Sequence, residues 1–541
     1  MATALELAID SKHPEPLGYD ADVKEKERGA TPTTSGTTTS APTLNDYMRH
    51  AEVSRAREAG ATSGMPLTHH SETPPEKAGL DIDEELITAR RALRTASWAA
   101  IFYLITTDIL GPFNAPFAFS QVGYVPGAIL YVVMGGVACY TGLLLWRLFC
   151  TLDSDRYPIK TYSDLCGRIF GDWFKNLSTV LQSLQLIINV GTICLSNAQS
   201  LEQIANNHQF CFSVAILIWA LLGMVIGQIR TLKAYGWLAN SAVWMNLLII
   251  FISMGFVAHS PPNFVAAKAA YNLDPGPVHT SAFVSLPLFL KVNGIMNMVF
   301  AYGGAMIFPE FMAEMRRPMD FWKAMCCAQL LIVCVYMMYG IFVYSFQGQF
   351  TLGIAYQGVS KFSWQTVGNV FGLITGIIAA GLYGNIGIKV AYYTIVEQWM
   401  KGPKLMTARG RFLWTFIVFV YWALAFIVGS AIPQVQTISG LVAAICIMQF
   451  TYTFPPLLIA GYYLQLDAAK NDIGDSWFTV SRWKRALFGG SAAWYYKVFN
   501  LFLFLASLSM ACLGMYGSGK AIQATFQAGG AATSFGCGAP V

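Results

Sequence analysis

The chain of 541 residues is 55% hydrophobic, 14% aromatic and only 12% charged, with a formal net charge of +5 and a mean hydropathy of +0.47. These figures exclude an ordinary soluble domain, and the repeated apolar runs of about 20 residues have the length that crosses ~30 Å of hydrocarbon. An all-α polytopic membrane protein is expected.

Residues 1–90 are rich in charge, Ser, Thr and Pro and include the low-complexity run Thr31 to Thr43. Such a segment buries too little apolar surface to offset its ordering entropy, so it reads as a disordered cytosolic tail. Two pieces within it, Tyr47 to Glu58 and Leu80 to Leu93, carry helical periodicity. Both docking on the membrane domain and transient helix in a solvated tail fit that pattern. The N-terminus lacks the basic, apolar, small-residue order of a cleaved signal peptide, so the first span is expected to direct insertion.

From Ala96 the hydropathy gives eleven spans, at roughly 97–120, 125–149, 177–200, 212–229, 237–258, 289–313, 323–346, 366–397, 412–431, 436–463 and 494–517. They make a membrane domain over 91–517, followed by a short external tail over 518–541. Basic residues gather before the first span (Arg90, Arg91, Arg94) and in every even-numbered connection, such as Arg156 to Lys175 and Lys401 to Arg411. The alternate loops hold almost none. The positive-inside rule therefore places the N-terminus in the cytosol and the C-terminus outside or in a lumen.

The first span is interrupted by Asp108 to Pro116, D-I-L-G-P-F-N-A-P. A carboxylate, a glycine, an asparagine and two prolines make an unbroken helix untenable there. Backbone that leaves the helix at bilayer depth is tolerated only where protein buries it or a wet cavity lies beside it. The sixth span repeats the feature at Phe300-Ala301-Tyr302-Gly303-Gly304-Ala305, followed by Pro309 and Glu310. Breaks five spans apart fit a 5+5 inverted repeat, and matched broken helices point to a transporter's binding site. Half-helix N-termini offer N–H groups and positive dipole ends to a carboxylate, while exposed carbonyls suit an ammonium. Together these ends select a zwitterion, which makes an amino acid the expected substrate.

Three stretches carry a resemblance: Gly111 to Tyr124 (G-P-F-N-A-P-F-A-F-S-Q-V-G-Y), Tyr162 to Gly171 (Y-S-D-L-C-G-R-I-F-G) and Phe300 to Pro318 (F-A-Y-G-G-A-M-I-F-P-E-F-M-A-E-M-R-R-P). In these the chain resembles the amino acid/auxin permease family of the amino acid–polyamine–organocation superfamily, and within it the neutral amino acid permeases of filamentous fungi. The likeness covers residues 88–517. It implies a LeuT-like fold in which spans 1, 2, 6 and 7 rock against 3, 4, 8 and 9, and it implies coupling to protons. The chain departs from the family's usual glycine-rich first break: Ile109 and Leu110 stand where small residues are common, and Pro112 removes an N–H. The carboxylate donors then fall to Gly111, Phe113 and Asn114.

Other candidates come from polar residues inside spans. On the third span Gln182, Gln185, Asn189, Thr192 and Ser196 recur at steps of three or four, and Asn189 at mid-span is the expected cavity residue. The second break supplies Phe300, Ala301, Tyr302, Gly303 and Gly304. Ionisable groups at bilayer depth are functional candidates because their charged forms cost several kcal/mol (~3 or more) unless paired or wet. Asp108 reads as a cavity-lining proton carrier or a cap on the second half-helix, and Glu310 as a gate or proton site or as helix-end packing. Glu314, beside Arg316 and Arg317, reads as a cytosolic ion pair.

On the eighth span Gly381, Asn385 and Lys389 share one face, next to a small-residue stripe of Gly372, Gly376, Ala380 and Gly384. Two readings stand for Lys389: an ammonium that takes the place of a bound cation and exchanges a proton, or a side chain that snorkels to the cytosolic end. No histidine lies in a span and no H-E-x-x-H spacing occurs, which argues against an intramembrane metal enzyme or a histidine-based acyl transferase; no enzyme is expected. No metal, cofactor or nucleic acid is expected. Most of the eleven cysteines sit in apolar runs as small hydrophobes. Cys211 and Cys537 share a side of the expected topology, and their pairing is left open.

The expected function is proton-coupled symport of a neutral aliphatic or aromatic amino acid across the plasma membrane. A vacuolar exporter of the same fold, a non-transporting amino acid sensor and a channel are the alternatives; a channel would need a continuous polar path, whereas the polar residues gather near the two breaks.

Overall fold

The computed structural model describes residues 42–60, 94, 96–109, 111–205, 211–229, 232–403, 405, 407–431, 434–470, 477–527 and 534–538. In chain order the helices are α1 (Leu44–Gly60), α2 (Trp98–Ile109), α3 (Ala115–Val122), α4 (Tyr124–Leu152), α5 (Tyr162–Phe170), α6 (Asp172–Ala205), α7 (Phe212–Ile226), α8 (Leu232–Ala258) and α9 (Phe264–Tyr271). They continue with α10 (Leu288–Phe300), α11 (Phe308–Glu314), α12 (Phe321–Gln347), α13 (Phe362–Ala391), α14 (Ala408–Ala431), α15 (Val435–Val442), α16 (Phe454–Ala469), α17 (Val480–Phe488) and α18 (Trp494–Gln527). A π-helical stretch, Tyr392–Trp399, extends α13, and another, Ala443–Thr453, joins α15 to α16. The described residues form no strand, only two isolated bridges.

Among the described residues eight helices are long and apolar enough to span a bilayer, and the pair formed by α10 and Gly303–Glu314, bent by 43°, makes a ninth. Two further expected crossings are too short to qualify alone: the 15-residue α7, and the first span, which is divided into α2 and α3. The last span runs beyond its expected end at 517, because α18 continues to Gln527.

Both breaks are built by the same local device. After α2, Gly111 takes φ −140 and ψ 68, and a 3₁₀ turn over Pro112–Asn114 leads into α3. After α10, Gly303–Ile307 form a 3₁₀ turn before α11. In each case a proline, Pro116 or Pro309, lies in the first turn of the restarting helix. An N–H in a helix's first turn has no intrahelical acceptor, so proline restarts a helix at no hydrogen-bond cost.

Around the breaks stands a scaffold of α6, α13 and α14. Gly376 lets α13 approach α6 so closely that a Cβ there would fall 2.4 Å from Asn197 Oδ1, and at Gly191 a Cβ would lie 2.9 Å from the Ala425 carbonyl of α14. The small-residue stripe of the eighth span thus serves close helix contact, as small residues do between membrane helices. Residues 351–359 between α12 and α13 fold back into the bundle and are buried throughout. Pro262 bridges to Val359, which ties the start of α9 to this return segment.

The first and last described segments are both fastened to the membrane domain. Over Leu44–Gly60 the tail is an ordered helix rather than a disordered chain. Tyr47 packs edge-on against Tyr157 and lies beneath the Arg168 guanidinium, while Ala51 is 1% exposed. Arg55 Nη2 donates to Asp153 Oδ2 at 2.7 Å, Arg94 Nη2 to the same oxygen at 3.0 Å, and Ile159 N–H to Oδ1 at 3.0 Å. Burial pushes the Glu58 carboxyl up, opposed by the adjacent Arg55. The other expected tail helix, Leu80 to Leu93, lies outside the described residues. At the opposite end Cys211 and Cys537 form a disulfide that joins the start of α7 to the C-terminal segment. Phe535 N–H also donates to Ser430 O at the end of α14.

Replacing Asp153 with Ala removes the buried carboxylate that Arg55 and Arg94 share, while Arg55 keeps Glu58, a loss of roughly 3 kcal/mol. A lower melting temperature and faster tryptic cleavage within α1 are expected; unchanged cleavage would contradict the docking. Alkylation of the denatured, unreduced protein should modify the nine free cysteines, with two further sites appearing only after reduction, as read by mass spectrometry.

Candidate functional site

A cavity of about 230 Å³ lies between the two breaks. The first break contributes Gly111, Phe113 and Asn114, and the second contributes Phe300 and Gly303. From α6 come Asn189, Thr192, Ser196 and Asn197; the return segment places Gly353, Ile354 and Tyr356 at the wall. Six of the nine expected substrate residues therefore meet at one cavity. Ala301, Tyr302 and Gly304 do not line it. The Tyr302 ring turns away into the core, where its hydroxyl donates to Tyr131 O at 2.8 Å.

No charged side chain lines this cavity among the described residues. Its polar character comes from amides and hydroxyls, and two of the amides are incomplete. Asn297 Nδ2 donates to Asn293 O at 2.9 Å and Gln436 O at 3.1 Å, but its Oδ1 is buried without a partner. Asn189 Oδ1 is likewise buried and unpartnered. Each such acceptor costs about 1–3 kcal/mol while unsatisfied. A ligand that donates hydrogen bonds relieves that penalty.

At the first break Gly111 N–H donates to the Tyr336 hydroxyl at 3.3 Å. Phe113 and Asn114, at the start of the second half-helix, also line the cavity. Phe113 also stands edge-on to Tyr339 and Tyr356, with centroids 5.9 and 4.9 Å away, which fixes its ring at the wall.

On the N-terminal face the chain is packed shut by three contacts. Ala96 N–H donates to Glu314 O at 3.1 Å and Arg316 N–H to Ala96 O at 2.8 Å, so the chain before α2 is tied to the chain after α11. Gln182 Nε2 donates to Met306 O at 2.9 Å and to Glu310 Oε1 at 2.7 Å. Tyr162 N–H at the start of α5 reaches the same Glu310 oxygen at 3.3 Å. Glu310 Oε2 is buried with no partner, and no described ion pair involves Glu310.

The other coupling candidates lie elsewhere. Asn385 Nδ2 donates to Ile229 O at 2.5 Å just beyond α7, away from the cavity. Lys389 is half-buried and has Glu314 as its electrostatic neighbour, without a direct ion pair among the described residues. Glu314 therefore faces Lys389, and no described ion pair joins it to Arg316 or Arg317. Asp108 ends α2, and its side chain lies outside the described residues.

Sequence reasoning missed Asn246, Asn297, Tyr336, Tyr356 and Gln436 as lining residues. For Asn246 and Asn297 a signal existed, an amide within a largely apolar span that it shares with one other, Asn240 or Asn293. Tyr336, Tyr356 and Gln436 carry no local signal, because only tertiary packing brings α12, the return segment and α15 to the breaks.

A "Transmembrane transporter" of Gibberella moniliformis is 25% identical over 373 residues, which cover 68% of this chain and 75% of its own. An "N amino acid transport system protein" of Neurospora crassa is 25% identical over 368 residues, covering 66% and 74%. Among solved structures, a nucleobase-cation-symport-1 family transporter in a closed conformation with bromovinylhydantoin bound aligns at a TM-score of 0.46 with 14% identity, over 81% of this chain and 93% of its own. The family described as "Transmembrane amino acid transporter protein" matches residues 94–517, a stretch that contains both breaks and the whole cavity. The chain belongs to the transmembrane amino acid transporter family.

Proposed function

We propose that the protein is a proton-coupled symporter of neutral L-amino acids, aliphatic or aromatic, working by alternating access in the plasma membrane. The observation that carries this reading is the cavity shared by both breaks, with two unsatisfied amide oxygens and no charged side chain among its described lining residues. Phe113 and Asn114 N–H groups receive the carboxylate at the positive end of α3. Asn297 Oδ1, Asn189 Oδ1 and the carbonyls at the end of α10 receive the ammonium. A charged side chain would enter a wall that offers it no counter-charge, at a cost of several kcal/mol (~3 or more), whereas Ile193, Tyr356 and Ile447 suit an apolar one. Eleven crossings in a 5+5 inverted repeat with a LeuT-like arrangement complete this reading.

The N-terminal face is assigned to the cytosol. The distribution of Lys and Arg supports this, as does a disulfide on the opposite face, since disulfides persist on the oxidising side. Glu310 is the proton carrier. Its carboxyl is held between α5 and α6 with no ion pair among the described residues, so closing the cytosolic gate around an ionised carboxylate would strand a charge. A protonated Glu310 permits closure, and opening hydrates it and releases the proton. Lys389, beside Glu314 at the same end, snorkels.

Uptake of radiolabelled phenylalanine or leucine into proteoliposomes tests the function. Accumulation above equilibrium is expected only under an inward proton gradient. Accumulation driven by sodium alone would overturn proton coupling, and binding without uptake would overturn transport. Glu310→Gln should retain counterflow exchange while accumulation falls to the gradient-free level; gradient-driven accumulation by this variant would move the proton site elsewhere. At Gly303 a Cβ already meets Ile447 Cδ1 at 2.8 Å. Gly303→Leu should therefore reduce uptake by about tenfold or more, the equivalent of ~1.4 kcal/mol, with membrane expression unchanged; wild-type uptake would place the site elsewhere.

A further inference from the structure

We propose that α17, in the connection between α16 and α18, lies in the headgroup layer of the leaflet on the N-terminal face and docks anionic lipid headgroups there. This goes beyond the transport reading and does not depend on it.

The helix has two unlike faces. Ala486 is fully buried against Leu464 and Ala468 of α16, with Leu487 and Leu501 packed around them. On the other side Val480 is 70% exposed, Trp483 50% and Phe488 64%, and Phe478 just before the helix is 98% exposed. An exposed apolar cluster of this size marks an interaction site, because each such side chain left in water forgoes about 1.5–3 kcal/mol.

That exposure is a fixed feature of the fold. Lys497 Nζ donates to Ala486 O at 2.7 Å and Leu487 O at 3.1 Å, the last carbonyls of α17, and pairs with Asp467 at 2.5 Å. Ser491 N–H donates to the same carboxylate at 3.1 Å. Gly489 allows the close turn, since a Cβ there would lie 2.6 Å from both Arg485 O and Asp467 Cβ. Lysine at a helix C-terminus also complements the dipole. The roll of α17 is thereby locked, with its apolar residues turned outward.

Lipid is the occupant that fits. The apolar face runs directly into the lipid-facing stripe of α18, where Trp494, Tyr495, Val498, Phe499 and Phe502 are exposed. Trp and Tyr at the start of a span mark the membrane–water boundary. Without the buried Lys497, residues 470–496 carry four Lys or Arg against two Asp, which favours a negative surface. Lys484 is exposed on the helix, and the Arg482 guanidinium stands 4.3 Å over the Trp477 ring. A short basic helix with an aromatic outer face is the composition that lies in an anionic interface.

Two measurements on the full chain test this. In proteoliposomes of brominated phosphatidylcholine, the emission lost in Trp483→Phe should be a component that bromine quenches and aqueous acrylamide does not; the reverse pattern would place α17 in water and overturn its seating. In native mass spectrometry the wild type should retain phosphatidylserine over phosphatidylcholine. Lys484→Glu, at an exposed position that leaves the Lys497–Asp467 lock intact, should cut phosphatidylserine retention about fivefold or more. Equal retention of both lipids by the wild type, or no loss in the variant, would overturn the anionic preference.

Discussion

A backbone polar group inside a bilayer must find a partner within the protein, and the rest of this structure depends on how that constraint is met at two breaks. An intact helix satisfies itself. Leaving the helix at Gly111 and again at Ala301 exposes donors and acceptors that lipid cannot satisfy. The Tyr336 hydroxyl takes the Gly111 N–H, and the buried return segment 351–359 covers the cavity wall. Two amide oxygens, Asn189 Oδ1 and Asn297 Oδ1, are left over, and in the proposed reading a zwitterion completes them.

The same accounting explains the closed N-terminal face. Reciprocal backbone hydrogen bonds between Ala96 and the segment Glu314–Arg316 join the ends of the two broken spans, so the halves are coupled where they leave the membrane. Glu310 extends that coupling to α5 and α6 through one carboxylate oxygen. Asp153 does comparable work further out, holding Arg55 and Arg94 so that α1 spans the connection before α5. The opposite face is braced covalently by Cys211 and Cys537, on α7 and the C-terminal segment, next to the α6 and α14 scaffold. The contacts of the N-terminal face are polar and non-covalent, while the other face carries a covalent staple.

Much of the site was legible because the signals are local. Gly, Pro and Asn clustered inside apolar runs can be read without a fold, and both breaks lie where those clusters lie. The polar stripe on α6 was legible for a similar reason, since steps of three and four residues define one helix face. Asn385 shows the limit of that logic: its face was correct but turned toward Ile229, because a polar stripe can satisfy a neighbouring helix end as readily as a cavity. Tyr356 was hidden because residues 351–359 read as an external loop, and only packing reveals that they fold inward. The Cys211–Cys537 pair spans 326 positions, a distance over which sequence spacing carries no geometric information. In the tail, periodicity marked Tyr47 to Glu58 as helical but left docking and a solvated helix equally open; the contacts that decide it lie on the distant Asp153 and Tyr157.

The central claim is that both breaks form one site that recognises the two ends of a zwitterion. Binding of phenylalanine to the purified protein, set against phenethylamine and hydrocinnamate, tests it most directly. Isothermal titration should detect phenylalanine alone, because each analogue leaves one set of half-helix groups unsatisfied. Comparable affinity for either analogue would contradict the account.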